Sequence, residues 1–258
     1  MTNIASFPAF KLLPHEYPDA ALCRSINLQR SSSWIHCGPL LSLSDHELPA
    51  SYHEWHKATI NGSITPNLLS FLSFANHLLS AAGINHYWLT IRATKPTTDF
   101  DEPRWHTDED FFKGEKLIRT QWKLVTTLLG PGTLFIEDAK SSRALEAKIK
   151  QDAQREYKDH LCTTFKCLGC ASVSAAVRQR LGDKLRGRKF IQAAIGDICF
   201  FRTGQEQGAV HSEPPQDCDR VFVNIIPGTE GELQALMAKW GMTTFPRSWS
   251  IGLPARAH

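Results

Sequence analysis

The sequence predicts a mainly β protein with flanking helices, an α+β fold whose strands build a sandwich or barrel. Three observations predict it. From residue 86 onward, short runs of aromatic and β-branched residues are broken by Gly, Pro and Asp, the rhythm of strands joined by turns. Between residues 138 and 188 that rhythm gives way to stretches rich in Ala, Lys, Glu and Gln, which are strong helix formers. Ahead of residue 86, one segment places Leu68, Phe71, Leu72 and Leu79 at helical spacing.

Taken in order, residues 1–66 carry scattered Pro, Ser and Asn with little periodicity and read as a loosely structured lead-in. Within it, Asp45 is placed to cap a short helix running toward Trp55. Residues 67–83 read as a helix on the outside of the sheet, stopped by Gly83. Strands are expected over 86–92, 122–129 and 133–137, with Gly130-Pro131-Gly132 as a turn, and over 190–194, 197–201 and 220–226. Residues 142–160 and 172–185 form an inserted pair of helices, 231–240 one more helix, and the remainder a coil. The chain is read as one domain. It comprises an N-terminal helical support (1–85), a β core (86–228) with the insertion at 138–188, and a C-terminal helix and tail (229–258).

Composition bounds the function. With 258 residues and 42% hydrophobic content the chain can bury a sizeable core. A net charge of +3, with no run of five like charges, argues against nucleic acid as a partner. The amino terminus lacks a cationic start followed by an apolar stretch, and no segment approaches a membrane span, so a cytoplasmic protein without membrane contact is expected. Seven scattered cysteines argue for free thiols. His160, Cys162, Cys167 and Cys170 have a spacing that suits zinc, but the second close pair of a structural zinc site is missing, which favours ordinary thiols.

The chemistry concentrates in Trp105-His106-Thr107-Asp108. In extended backbone His106 and Asp108 point the same way and can offer one imidazole nitrogen and one carboxylate oxygen to a single ion. His211, downstream of the strand opened by Gly196-Asp197 and of the Gly-containing loop 204–208, supplies a third ligand. Two histidines and one carboxylate suit non-haem Fe(II), because they occupy one face of an octahedron and leave the rest open. Arg220 follows on the next strand, where its planar guanidinium can grip a carboxylate through two parallel hydrogen bonds. A surface ion pair with Asp217 or Asp219 is the plainer alternative for it. His53 and His56 lack a carboxylate at useful spacing and read as surface histidines. No phosphate loop, Gly-x-Ser-x-Gly elbow or His-Glu-x-x-His helix is found.

As an ordered set over residues 86–228, His106, Asp108, His211 and Arg220 resemble the Fe(II)- and 2-oxoglutarate-dependent dioxygenase superfamily. The resemblance implies a double-stranded β-helix (jelly-roll, cupin-like) core and an Fe(II) centre held by His106, Asp108 and His211. It also implies O2 as a reactant and 2-oxoglutarate anchored by Arg220. Two positions depart from or compete with the pattern. Phe222 stands where the family often has a hydroxyl residue, and Lys123 is a rival anchor because some branches use a strand lysine there; Arg119 is a weaker one. The usual exposure of lysine favours a solvated strand end for Lys123. Asn224 shares a strand face with Arg220 and Phe222 and is placed to hydrogen-bond inside the barrel.

The implied activity is hydroxylation, or a related C–H oxidation such as desaturation or cyclisation, of a small organic substrate in biosynthesis, with formation of succinate and CO2. Trp105, Phe111, Phe112 and Trp122 are candidates for an apolar wall, and Arg92, Arg104 and Arg202 for meeting an acidic group. A cupin-like metalloenzyme that does not use 2-oxoglutarate, and a non-enzymatic metal-binding β-barrel module, remain alternatives.

Overall fold

The computed structural model describes residues 8–18, 25–112, 121–156 and 168–252. Seven strands form one antiparallel sheet: β1 (Phe10–Leu13), β3 (Ser32–Pro39), β5 (His86–Thr94), β6 (Trp122–Leu129), β9 (Ile198–Arg202), β11 (Arg220–Gly228) and β12 (Arg247–Ile251). Their order across the sheet is β1-β9-β6-β11-β5-β3-β12. A smaller sheet has the order β10-β7-β8, from β7 (Leu134–Ile136), β8 (Phe190–Gln192) and β10 (His211–Ser212). β2 (Asn27–Leu28) and β4 (Ile60–Asn61) pair by themselves.

Alternation of side chains across each strand sorts the layers. On one face of the large sheet, Leu89, Ile91, Leu124, Phe200, Val221, Val223 and Ile225 join a core with helices α1 (Ala50–Thr59) and α2 (Thr65–Ala81). From the opposite face, Val125, Cys199 and Phe201 meet Phe135 of the small sheet. The neighbours of Phe135, Leu134 and Ile136, point outward and pack under helices α3 (Ala139–Glu156) and α4 (Leu168–Leu185) through Ile149, Ala153, Val177 and Leu181. The order is therefore helices, large sheet, small sheet, helices, an α+β arrangement consistent with a β-sandwich. Helix α5 (Glu230–Lys239) closes one end, burying Leu233, Leu236 and Met237 against Trp88, Phe112 and Ile226. Among the described residues no helix is long and apolar enough to cross a membrane.

The strands expected at 86–92, 122–129, 197–201 and 220–226 are present, and α2 stops at Gly83, whose φ of +74° suits glycine. The lead-in differs from expectation. Residues 32–39 form an interior strand between β5 and β12, with six of its eight residues buried. A strand covered on both faces loses the alternating pattern, and Ser, His, Gly and Pro within it mask its β character. Asp45 opens a 3-10 turn, and α1 begins only after Pro49. The tail read as coil contains β12, paired with β3 from Arg247↔Cys37 to Ile251↔Ser33. Residues 160, 162 and 167 of the possible zinc set, and Arg119, lie outside the described residues; Cys170 is exposed on α4.

Trp55 ties the lead-in to the core, since its ring is fully buried and its Nε1 donates to Ser32 Oγ at 2.9 Å. Trp55→Ala is expected to lower unfolding stability by about 3–5 kcal/mol, read from urea denaturation.

Candidate metal centre

His106 and His211 are brought together by backbone. The two residues form an antiparallel bridge in which each N–H donates to the other's carbonyl at 3.0 Å. His211 is in turn paired with Phe135 of β7, so the small sheet carries both histidines. Asp108 points to the same side as His106, as alternation requires. Its carbonyl accepts from Gly204 N at 2.8 Å, which fixes the loop after β9 beside it. Asp108 Oδ1 lies 3.9 Å from His106 Nε2 and Oδ2 lies 3.5 Å from His211 Nε2; the three ligand atoms are all within 4.8 Å of one another.

The ring orientations favour a metal. His106 Nδ1 is 2.8 Å from the Arg104 carbonyl and His211 Nδ1 is 3.0 Å from the Ala209 carbonyl. A carbonyl can only accept, so each Nδ1 donates and each Nε2 keeps its lone pair for the centre. Neighbouring ligands about 2.1 Å from one ion lie about 3 Å apart, so the set needs only a modest contraction to close on it. A metal ion therefore fits these residues.

Electrostatics keep the ligands in binding form. Burial opposes ionisation of Asp108, but Lys123, His211 and His106 outweigh it and hold the carboxyl well below the usual range. Burial depresses His211, with Asp108 pulling the other way, so the imidazole is neutral at pH 7. Lys123 is not a solvated strand end. Its Nζ is 2.7 Å from Asp108 Oδ2 and 4.9 Å from the centre of the Phe111 ring. The reason is its place on β6, an interior strand, on the face turned toward the small sheet.

These residues line a cavity of about 130 Å³ that also takes in Arg92, Glu213, Arg220, Phe222 and Asn224. Arg220 is 2% exposed and makes no surface ion pair. Asp219 instead accepts from Leu28 N and faces Lys95 at 3.9 Å. The Arg220 Nε donates to Pro131 O at 2.8 Å, at the Gly130-Pro131-Gly132 turn, and the guanidinium lies 4.7 Å over the Phe222 ring. The Phe222 ring thus supports the Arg220 guanidinium. Burial lowers the guanidinium to about 10, leaving it charged at neutral pH. Asn224 Oδ1 is buried and has no protein donor among the described residues, so it is left for a ligand or water.

Other candidates part company. Trp122 stacks on Phe200 in the core beyond the sheet, Trp105 packs under α3 and α4, and Phe112 sits against α5. Arg202 binds Gln207 on the exposed side. Glu213, missed from the sequence, lines the cavity and faces Arg92 at 3.9 Å. Its signal was available, because residues two apart in extended backbone share a face and Glu213 follows His211 at that interval.

The helical insertion does more than separate the ligands. The buried Glu146 of α3 accepts from Thr107 N at 3.2 Å and from the Thr107 hydroxyl, while Arg143 Nη1 donates to Gly208 O at 2.8 Å. One helix therefore grips both the residue between His106 and Asp108 and the loop that leads to His211.

Comparison with known protein families gives no matching model, and no curated protein matches the chain.

Loss of the α3 grip should loosen the site before the fold. Glu146→Ala and Arg143→Ala are expected to weaken Co(II) or Mn(II) binding by about 10–100-fold in calorimetric titration. Far-UV circular dichroism should stay near wild type. Buried and half-buried histidines set a pH dependence. Burial depresses His15, His36, His56 and His211 below the ordinary 6.5. Above that value neither state is protonated; below it the unfolded chain takes up protons that the folded chain refuses, so stability falls as pH falls. The urea midpoint of the metal-free protein is expected to drop between pH 7.5 and 5.5, with a shallower drop in His36→Gln.

Proposed function

We propose that the protein is a non-haem Fe(II)- and 2-oxoglutarate-dependent oxygenase built on a double-stranded β-helix core and acting on a small organic substrate. The observation that carries this reading is the convergence of His106 Nε2, His211 Nε2 and the Asp108 carboxylate on a cavity whose wall also presents Arg220. Two histidines and one carboxylate leave the remaining positions of an octahedron for a chelating cosubstrate and O2. Fe(II) with 2-oxoglutarate supplies O2 activation, so that R–H, O2 and 2-oxoglutarate become R–OH, succinate and CO2.

The chain's own groups favour a dianionic cosubstrate. Apart from the two imidazoles, the cavity wall carries the cations Arg92, Lys123 and Arg220 against the carboxylates Asp108 and Glu213, an excess of one positive charge before any metal. Lys123 is spent on Asp108, whose ionisation it supports. Arg220 has Pro131 O as its protein acceptor among the described residues, and its other N–H groups are left to take a carboxylate in a two-pronged grip. This assigns Arg220 as the cosubstrate anchor and Lys123 as the partner of Asp108, with Asn224 beside them. Which C–H oxidation follows would depend on how the cavity holds the substrate beside His106, Asp108 and His211.

The test is a thermal-shift titration with Mn(II), a redox-stable substitute for Fe(II), with and without 2-oxoglutarate. Mn(II) alone should stabilise through the three ligands, and 2-oxoglutarate should add a further shift that needs Mn(II) and disappears in Arg220→Ala, with a contribution of about 2.7 kcal/mol at a hundredfold excess over Kd. Supplied with Fe(II), 2-oxoglutarate and O2, the protein should release succinate. Metal retention by a His106→Ala/His211→Ala double variant would sink the proposal. Absence of any added shift from 2-oxoglutarate on the Mn(II)-loaded protein would favour a cupin-like enzyme that does not use it.

A further inference from the structure

Helix α4 lies against the segment that leads into the metal loop. A Cβ on Gly182 would stand 3.3 Å from the Pro103 carbonyl. Val177 and Leu181 share an apolar cluster with Trp105 and Val210, the residues just before His106 and His211. Arg178 sits one helical turn before Gly182 on the same face, which turns it toward residues 103–106. It is half-buried, and among the described residues no carboxylate lies within ion-pair distance of it. Its neighbours differ: Arg180 pairs with Glu156, and Arg186 with Asp183.

Arg104 is the second cation of this group. Its backbone is bound into the site, with its N–H donating to Ser212 Oγ at 2.8 Å and its carbonyl accepting from His106 Nδ1. Its guanidinium lies over the Phe100 ring, again without a carboxylate at ion-pair distance among the described residues. Burial and the charge of Arg104 both disfavour the Arg178 cation, whereas Glu213, Asp108 and Glu146 favour it, so Arg178 shares the electrostatic field of the metal site. Arg178 thus faces the segment that carries Arg104, and two cations on facing segments, each without a carboxylate at ion-pair distance among the described residues, are relieved by an anion between them.

We infer that Arg178 and Arg104 form the seat for an anionic group of the substrate, so that the site oxidises an organic molecule ending in a carboxylate or a phosphate. This rests on the oxygenase reading and narrows it. The anion is held by the insertion helix and the metal loop together, while Arg220 serves the cosubstrate, so the two acids are recognised by different arginines.

The experiment is isothermal titration of the full chain saturated with Mn(II) and 2-oxoglutarate. The probes are hexanoate, hexyl phosphate and hexanamide, and benzoate, phenyl phosphate and benzamide. At least one acid should bind about tenfold more tightly than its amide, as expected for a charge-assisted hydrogen bond. The tighter of carboxylate and phosphate identifies the head group. Arg178→Gln and Arg104→Gln should each erase the preference for acids, Arg178→Gln while leaving Mn(II) and 2-oxoglutarate binding intact, and Arg180→Gln should keep it. Equal binding of acids and amides, no binding of any probe, or a preference that survives in Arg178→Gln overturns the inference and leaves the oxygenase reading standing. Failure of the wild type to bind Mn(II) with 2-oxoglutarate removes both.

Discussion

Two main-chain hydrogen bonds between His106 and His211 are what the rest of the site depends on. They join segments that lie on either side of the helical insertion, and they do so with backbone, whose geometry side-chain motion cannot blur. Close approach of the surrounding loops follows. A Cβ on Gly208 would stand 2.3 Å from Thr107 Cγ2, and one on Gly204 the same distance from Asp110 Oδ1, so only glycine lets the loop after β9 reach the His106–Asp108 segment. Helix α3 then locks the arrangement from outside through Glu146 and Arg143. Once the backbone is set, the ligand rings have little choice, because each Nδ1 is held by a carbonyl two residues earlier in its own segment.

Charge is the second organising constraint. Burying Asp108 is costly by itself, and the structure offsets that cost with the Lys123 cation. Arg220 is buried more sparsely, with one carbonyl acceptor and the face of Phe222. A guanidinium held this way is an incomplete arrangement that an acidic ligand completes. The same logic extends outward, where Arg178 and Arg104 stand near the metal loop without carboxylates of their own among the described residues. The cavity is thus graded, with a ligand set that suits a cation at its centre and cations around it that suit acids.

Much of this was legible in the residues. The strands 86–92, 122–129 and 220–226 announce themselves because β-branched and aromatic residues cluster between turn formers, and α2 because its leucines and phenylalanines fall on one face. His106, Asp108, His211 and Arg220 stood out by type and order. β3 did not, since a strand buried on both faces has no alternation to read and its Ser, His, Gly and Pro hide it. Lys123 was misplaced for a related reason. Exposure follows from which strand is interior and which face is inward, and neither is a property of a lysine and its neighbours.

The sequence by itself determined the chemical types of the ligands, their alternation within each extended segment and the helical character of the insertion, because these depend on neighbours a few residues away. Only the tertiary structure decided which segments meet. The antiparallel bridge that unites the histidines, the turn that gives Arg220 its carbonyl, the grip of Glu146 on Thr107 and the approach of α4 at Gly182 to Pro103 all require contacts across long stretches of chain. Those contacts are selected by burial of whole sheet and helix faces, in which many residues act together, so no short motif encodes them.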